Sequence, residues 1–140
     1  MPSLPDIKAY SGNGNYIFVS YSHRDKSIAY PFIAALQEKF NVWFDDGIHY
    51  GKEWEREIVE KLDGCSIFVF LISKSSLDSP NCKDELYYAR EHSKHFINVL
   101  LDDSIQLPRE FVFRYGRFQM CNLNSFPSPE DAIEDLERKS

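Results

Sequence analysis

The chain of 140 residues is long enough for one domain with a real core, and its 43% hydrophobic and 15% aromatic content predicts a folded protein. The net charge of −6 argues against a dedicated nucleic-acid or anionic-membrane binder, because both need a basic surface. No stretch approaches the roughly 18 apolar residues of a membrane span, and the three cysteines form no close pair, which argues against a disulfide framework or a zinc cluster.

The first 15 residues differ from the rest of the chain. They show little apolar pattern, contain two prolines and two glycines, and lack the apolar segment of a secretory signal. The unpaired cysteines are natural in a reducing compartment. We therefore predict a leader or linker over residues 1–15 and a single cytoplasmic domain over residues 16–140.

Apolar runs and helical patterns then alternate along the chain. The runs predict strands at residues 16–20, 42–44, 65–72, 95–101 and 118–121. Helical spacing predicts helices marked by Ile28, Phe32, Leu36 and Phe40, by Trp54, Ile58 and Leu62, and by Ile133 and Leu136. Pro31 is expected in the first turn of the first helix, because proline is tolerated there. Residues 73–78 are predicted to form a loop, and residues 104–117 give no clear pattern.

This alternation predicts an α/β domain. The expected fold is a flavodoxin-like, doubly wound sheet of five parallel strands in the order 2-1-3-4-5, with helices on both faces. Ligands bind such sheets at the carboxyl ends of strands, where the strand order reverses. The predicted crevice therefore lies between the loops after the first and third strands, at residues 21–26 and 73–79.

The helix after the third strand carries the clearest signals in the chain. Ser79 is a good helix cap, and Pro80 suits the first helical position. One apolar stripe along this helix is formed by Cys82, Leu86 and Ala89. Glu85 falls at the edge of that stripe and beside the predicted crevice, so its carboxylate is expected to be partly shielded from water. Asp84 points away from the stripe and is expected to be solvated.

Other chemistries fit the sequence less well. It contains no phosphate loop of the GxxxxGK or GxGxxG type and no nucleophile elbow. The phosphoacceptor positions of a receiver domain, which would be acidic, hold Ser20-Tyr21 and Ser73-Lys74. The pairs Asp45-Asp46 and Asp102-Asp103 are either turn formers or, together, ligands for Mg²⁺. We favour turns and predict no metal. For Cys82, a buried structural thiol is favoured over an activated one.

Four motifs in register resemble the Toll/interleukin-1 receptor (TIR) domain family, in its bacterial branch. They are IFVSYS at 17–22 followed by HRD at 23–25, NVWFDDG at 41–47, GKEW at 51–54, and SLDSPNCKDE at 76–85. The match covers about residues 16–125 and keeps the family's order and spacing. The sequence departs from the pattern at Asn81, where some active bacterial members carry Trp.

The resemblance implies an enzyme that hydrolyses or cyclises NAD⁺, which is a substrate here, so no cofactor is expected. The products would be nicotinamide and either ADP-ribose or a cyclic ADP-ribose isomer, and the role would be bacterial defence signalling. The family's catalytic glutamate maps onto Glu85. Substrate-binding positions are expected at Ser20, Tyr21, Arg24, Asp45, Tyr50, Trp54, Cys82 and Tyr88. Tyr88 or Tyr50 would provide the stacking that Asn81 cannot.

The family also contains adaptors that assemble through TIR–TIR contacts without catalysis. Its loop after the second strand, here residues 45–53, mediates assembly and gates the site. The resemblance therefore implies self-association through this loop, and a non-enzymatic scaffold is the alternative function. No nucleic-acid or membrane partner is expected.

Overall fold

The computed structural model describes residues 4–139 and shows one five-stranded sheet. The strands are β1 (Ile17–Ser20), β2 (Val42–Phe44), β3 (Ile67–Ile72), β4 (His95–Leu100) and β5 (Gln119–Asn122). The helices are α1 (Lys26–Gln37), α2 (Lys52–Gly64), α3 (Lys74–Asp78), α4 (Pro80–Glu91), α5 (Arg109–Tyr115) and α6 (Pro129–Lys139). Two 3-10 turns are found at His23–Asp25 and Leu123–Ser125. The strand order is 2-1-3-4-5, and every pair is parallel, which confirms the predicted fold.

Successive side chains of each strand point to opposite faces of the sheet, so the core is divided between these two faces. On one face, Val19, Val69 and Val99 pack with the buried residues of α1 and α6. On the other face, Phe18 and Phe68 pack with those of α2, α4 and α5. The strands are buried on both faces because helices cover both, as expected for a parallel sheet. Across residues 4–139, no helix combines the length and apolar character that a membrane crossing requires.

Helix α3 replaces part of the loop that was predicted at residues 73–78. Ser73 Oγ accepts a hydrogen bond from the amide of Ser76 at 2.9 Å, and Ser76 Oγ accepts one from the amide of Ser73 at 2.8 Å. This reciprocal cap stabilises a helix that is too short to show an apolar period. Ser73 Oγ also donates to the carboxylate of Asp25, which joins the segments that follow β1 and β3.

Two further details differ from the sequence-based expectations. Pro31 lies inside α1 rather than in its first turn, because that helix already begins at Lys26. Its ring leaves the carbonyl of Ser27 without the amide partner that a helix normally provides, yet the helix continues to Gln37. Helix α5 lies within the segment at residues 104–117, which shows no clear pattern in the sequence, and it follows Pro108 directly.

Part of the segment at residues 1–15 contacts the folded domain. The amide of Tyr10 donates to the carbonyl of Val42 at 2.9 Å, and the Tyr10 and Tyr16 rings lie 6.1 Å apart. Ile7 and Ala9 are partly buried against the core. These contacts lie at the outer edge of the sheet, beside β2.

Candidate active site

The position of Glu85 follows from the way α4 begins. Ser79 Oγ accepts a hydrogen bond from the amide of Cys82 at 3.2 Å, and Pro80 occupies the first helical position, as predicted. Cys82 and Leu86 are buried in the core, so the phase of the helix is fixed. That phase turns Glu85, which is partly buried, towards the carboxyl end of β1.

Ser20 holds the carboxyl group of Glu85. Its Oγ donates a hydrogen bond to Oε1 of Glu85 at 2.6 Å, which is short and typical of a hydroxyl bound to a charged acceptor. Ser20 is the last residue of β1 and is 1% exposed, so the donor is rigid. The contact therefore fixes the direction in which the Glu85 carboxyl group presents its second oxygen.

The surroundings of Glu85 raise the pKa of its carboxyl group to about 7. Burial is the main cause, and the negative charges of Asp45 and Asp84 act in the same direction. The hydrogen bond from Ser20 opposes them, because it favours the charged form. A carboxyl group with a pKa near neutrality can exchange a proton at physiological pH, which ordinary surface carboxylates do not do.

Glu85 faces an open cavity of about 530 Å³. Its walls come from the 3-10 turn after β1, the segment after β2, the inner side of α2 and the first turns of α4. The residues that line it are His23, Asp45, Gly47, His49, Tyr50, Gly51, Trp54, Glu55, Ile58, Val59, Leu62, Asn81, Asp84, Glu85 and Tyr88. The volume falls within the range of small-molecule sites.

The cavity lies closer to β2 and α2 than the sequence suggested. Of the two loops predicted to form the crevice, the one after β1 contributes His23 to the large cavity. The one after β3 contributes only Ser79, and only to a smaller neighbouring cavity of about 40 Å³. Helix α3 begins two residues after the end of β3, and none of its residues lines either cavity.

Turn geometry shapes the segment after β2. Asp45 Oδ1 accepts from the amide of Gly47 at 2.9 Å, and Asp46 Oδ1 accepts from the amide of Ile48 at 3.0 Å. Gly47 has a φ of +82°, which residues with a side chain rarely adopt, and a Cβ there would lie 3.0 Å from the His23 ring, so glycine is favoured. The Tyr21 hydroxyl donates to the Asp45 carbonyl at 2.7 Å, which anchors the start of this segment to β1.

Aromatic rings form one wall of the cavity. The Trp54 ring is partly buried and lies 5.7 Å from the Trp43 ring on its core side. On the other side His49 stacks on Trp54 at 4.7 Å with an interplanar angle of 26°. Trp54 Nε1 is buried and has no hydrogen-bond partner within the described part of the chain. Trp54 is therefore both a core residue and a cavity residue.

Cys82 is a buried thiol rather than an activated one. It is 2% exposed and lines only the smaller cavity. Burial, together with the nearby charge of Glu85, raises the pKa of the Cys82 thiol to about 11, so it stays protonated at neutral pH. This thiol can bound the site, but it cannot act there as a thiolate nucleophile.

Three of the predicted substrate-binding residues differ in their relation to the large cavity, because two of them line it and one does not. Tyr50 is 91% exposed at the cavity mouth. Tyr88 also lines the cavity, while its hydroxyl donates to Asp63 and its ring stacks on the His92 ring at 3.9 Å. Arg24 is exposed on the 3-10 turn and is not among the residues that line either cavity.

Sequence reasoning missed several cavity residues. Asp84 is exposed, but it lines the cavity beside Glu85, and Glu55 faces the same space from α2. His23 and His49 were not assigned a role, although His23 Nε2 lies 3.1 Å from the Asp45 carbonyl oxygen. The helical phase of α2, set by Trp54 and Ile58, would have pointed to Glu55 as a residue flanking the apolar side.

The two aspartate pairs lie at separate positions on the sheet. Strands β2 and β4 have β1 and β3 between them, so at about 4.8 Å per strand the pairs are on the order of 14 Å apart. Asp102 Oδ1 accepts from the amide of Ser104 at 2.9 Å, as a turn former does. Within residues 4–139, no group of three or more His, Cys, Asp or Glu side chains is arranged to hold a metal ion.

Comparison with known protein families gives a match over most of the chain. A family model described as the TIR domain matches residues 17–137. The TIR domain of the Toll-related receptor TRR-2 from Hydra magnipapillata has a similar structure, with a TM-score of 0.68, 11% identity, and 88% of this chain and 95% of that chain covered. No curated protein matches the chain.

Two further solved structures are similar in fold. The CMP N-glycosidase BcmB from Clostridium botulinum has a TM-score of 0.62 and 13% identity, over 90% of this chain and 100% of that chain. The TIR domains of the activated Roq1 resistosome, which directly recognizes the pathogen effector XopQ, have a TM-score of 0.62 and 16% identity, over 90% and 99%. At these identities the likeness concerns the fold alone.

Proposed function

The chain belongs to the TIR domain family, and we propose that it is an NAD⁺ nucleosidase in which Glu85 is the catalytic carboxylate. One observation carries this proposal. A carboxyl group with a raised pKa is held by Ser20 at 2.6 Å and faces an open cavity of about 530 Å³ at the carboxyl ends of β1 and β2. Such a combination of a concave site and a perturbed carboxyl group is typical of catalytic sites.

The chemistry needs little more than one well-placed carboxylate. When the bond between ribose C1′ and the nicotinamide nitrogen breaks, both electrons leave with the nicotinamide, which becomes a neutral pyridine. No general acid is required for that step. The ribose develops positive charge in an oxocarbenium-like transition state, as in glycoside cleavage. The Glu85 carboxylate stabilises that charge, and the fixed contact with Ser20 removes the need to reorient it.

The second half of the reaction decides the product. Attack of water on C1′ gives ADP-ribose and releases one proton, which Glu85 can accept because its pKa is about 7. Attack by a nucleophilic group of the same substrate gives a cyclic ADP-ribose isomer instead. Both outcomes belong to the proposal, and both use NAD⁺ as a substrate without a further cofactor.

Features of the cavity fit this substrate. Tyr50, Trp54 and Tyr88 line the cavity, and the exposed Tyr50 ring offers aromatic surface for a flat heterocycle. A neighbour of similar fold is a CMP N-glycosidase, whose name describes cleavage between a base and a sugar. We place the activity in bacterial defence signalling in the cytoplasm, as the resemblance to the bacterial branch implies.

A non-enzymatic scaffold is the alternative function. Ile48 and Tyr50 are 70% and 91% exposed on the segment after β2, and apolar groups at such exposure favour contact with another surface. A neighbour of similar fold comes from the Roq1 resistosome, in which several TIR domains are present. Self-association through residues 45–53 fits both functions, so it does not distinguish them.

Nicotinamide release separates the two functions. NAD⁺ is incubated with concentrated protein, and products are identified by mass spectrometry. Glu85→Gln should reduce nicotinamide release by about three orders of magnitude or more, because it removes the charge that stabilises the transition state. Glu91→Gln, at the exposed end of the same helix, is the matched control and should keep full activity. Absence of nicotinamide release from the wild-type chain in its assembled form would leave the scaffold as the function.

A further inference from the structure

The walls of the large cavity carry negative charge and no strong positive charge. Four carboxyl groups face it, from Asp45, Glu55, Asp84 and Glu85. Of the described residues that line it, none is Lys or Arg. NAD⁺, by contrast, carries a diphosphate with two negative charges beside the positively charged pyridinium ring.

The two histidines of the cavity do not offset this imbalance. His23 Nε2 lies 3.7 Å from Asp45 Oδ2, and His49 Nδ1 lies 3.6 Å from Asp46 Oδ1. Each imidazole therefore already faces a carboxylate of the segment after β2. A diphosphate placed in this cavity would meet carboxylates without the Arg or Lys side chains that normally bind phosphate.

The exposed ring of Tyr50 adds a second preference for positive charge. Tyr50 lines the same space as the carboxylates and is 91% exposed, whereas Trp54 packs against Trp43 and His49, and Tyr88 stacks on His92. The face of an aromatic ring attracts a cation, by about 0.5–2 kcal/mol depending on desolvation. A pyridinium ring joined to ribose satisfies both features, because it is flat and carries its positive charge next to the bond that breaks.

We propose that this site recognises the cationic N-riboside half of its substrate and makes no use of phosphate, so that it also cleaves positively charged N-ribosides that have no phosphate, of which nicotinamide riboside is the simplest. This inference rests on the proposed function and defines its substrate class more closely. Glu55 and Asp84 are the specificity-determining residues, because they supply negative charge to the cavity without the contact to Ser20 that marks Glu85.

The reaction on this smaller substrate balances in the same way as on NAD⁺. The C1′–N bond breaks, and its electron pair stays on the nicotinamide nitrogen. The oxygen of a water molecule bonds to C1′, and one proton is released. The products are ribose, nicotinamide and a proton, so no oxidant, reductant or co-substrate other than water is needed.

Substrate comparison tests the inference directly. The probes are nicotinamide riboside, NAD⁺ and CMP, assayed with the wild-type chain at about pH 9, where Glu85 is ionised. The kcat/KM for nicotinamide riboside should lie within about tenfold of that for NAD⁺, while CMP, whose base is neutral, should not be cleaved. A kcat/KM for nicotinamide riboside more than tenfold below that for NAD⁺, or cleavage of CMP at a rate similar to NAD⁺, would overturn the inference. Loss of cleavage of every probe would instead refute the proposed function, and this inference with it.

Salt and charge variants then test the role of the carboxylates. Raising the ionic strength from about 0.01 M to about 0.15 M shortens the Debye length from about 30 Å to about 8 Å. The kcat/KM for nicotinamide riboside should fall over this range, because salt screens the attraction between its positive charge and the cavity carboxylates. The kcat/KM for NAD⁺ should fall less or rise, because salt also screens the repulsion between those carboxylates and its diphosphate. At low salt, Glu55→Gln and Asp84→Asn should each lower kcat/KM for nicotinamide riboside by about two- to fivefold.

The matched control lies on the same helix as Glu55. Glu60 is exposed on α2 and does not line the large cavity, so Glu60→Gln should leave kcat/KM for both substrates unchanged. If Glu55→Gln and Asp84→Asn behave like Glu60→Gln, the cavity charge does not select the substrate and the inference is wrong. Equal salt dependence for the two substrates would count against it in the same way.

Discussion

Ser20 on β1 and Glu85 on α4 are 65 positions apart in the chain and are joined by a hydrogen bond of 2.6 Å from Ser20 Oγ to Glu85 Oε1. The bond connects the end of a central strand to the second helix after the neighbouring strand β3. Because both partners sit on regular elements, their geometry depends little on loop motion. The same bond favours the charged form of Glu85, while burial favours its neutral form. Activity and stability should therefore both depend on pH through this pair.

The pH dependence of catalysis should report the pKa of Glu85. If the carboxylate is the active form, kcat/KM for NAD⁺ should rise with pH, with a midpoint near pH 7, and level off above about pH 8. Ser20→Ala removes the hydrogen bond that stabilises the carboxylate, so the midpoint should move to higher pH by about one pH unit. The measurement is kcat/KM for nicotinamide release between pH 5 and pH 10, with Ser20→Thr, which keeps a hydroxyl, as the conservative variant. A midpoint that stays in place in Ser20→Ala would contradict the assigned role of Ser20.

The raised pKa of Glu85 also predicts how stability changes with pH. The folded chain binds this proton up to about pH 7, whereas an unfolded chain releases it near 4.5, so the free energy of unfolding falls as pH rises between these values. The glutamine side chain in Glu85→Gln cannot ionise, so this variant does not lose that free energy of unfolding as the pH rises. The variant should be more stable than wild type by on the order of 2–3 kcal/mol at pH 8, with little of this gain at pH 4.5.

Urea unfolding at both pH values measures the difference. Glu91→Gln, which makes the same chemical change at the exposed end of the same helix, is the control. A stability gain of Glu85→Gln that is the same at pH 4.5 and pH 8 would show that Glu85 has no raised pKa in the folded chain.

The strands and the start of α4 could be predicted because their sequence signals are local. Each strand is a short apolar run, and Ser79-Pro80 marks the start of α4 through capping chemistry. Alternation of strands and helices then restricts the topology. Helices α3 and α5 could not be predicted, because one is held by a reciprocal Ser73–Ser76 cap and the other by packing of Phe111 and Tyr115 into the core. Both helices are too short to show an apolar period in the sequence.

The candidate site was predictable only in part, for a physical reason. The phase of α4 placed Glu85 beside the core, since that phase follows from Cys82, Leu86 and Ala89 alone. The part played by Glu55 depends on how α2 faces α4 across the cavity, which is a tertiary relation. The catalytic and substrate-binding roles themselves remain predictions.

Activity should not depend on a metal ion. Asp45 and Asp46 use carboxylate oxygens to accept hydrogen bonds from Gly47 and Ile48, and the cleavage step releases a neutral leaving group that needs no Lewis acid. After exhaustive EDTA treatment and dialysis, the rate of nicotinamide release should be unchanged within error. Untreated protein and protein given back Mg²⁺ are the controls. A loss of activity that Mg²⁺ restores would redirect attention to these aspartates and to Asp102-Asp103.

The rate should depend on assembly of several copies. The cavity is open to solvent, whereas ligand sites usually bury most of the ligand. Ile48 is 70% exposed beside the cavity mouth but does not itself line the large cavity. A second copy packed on residues 45–53 would cover both the apolar side chain and the opening. Contact between two different surfaces of the same chain can propagate from copy to copy.

Specific activity should therefore rise with protein concentration, in parallel with the mass measured by light scattering. Ile48→Asp places a charge on the contact surface and should lower self-association and specific activity together, by about tenfold or more, while Glu85 is untouched. Tyr50→Ala should add to the effect, although Tyr50 also lines the cavity, so Ile48→Asp is the cleaner variant. Phe113→Asp is the matched control, because Phe113 is 85% exposed on α5 and lines none of the cavity. Specific activity that stays constant over a hundredfold dilution, from a species that remains monomeric throughout, would show that one copy is sufficient for catalysis.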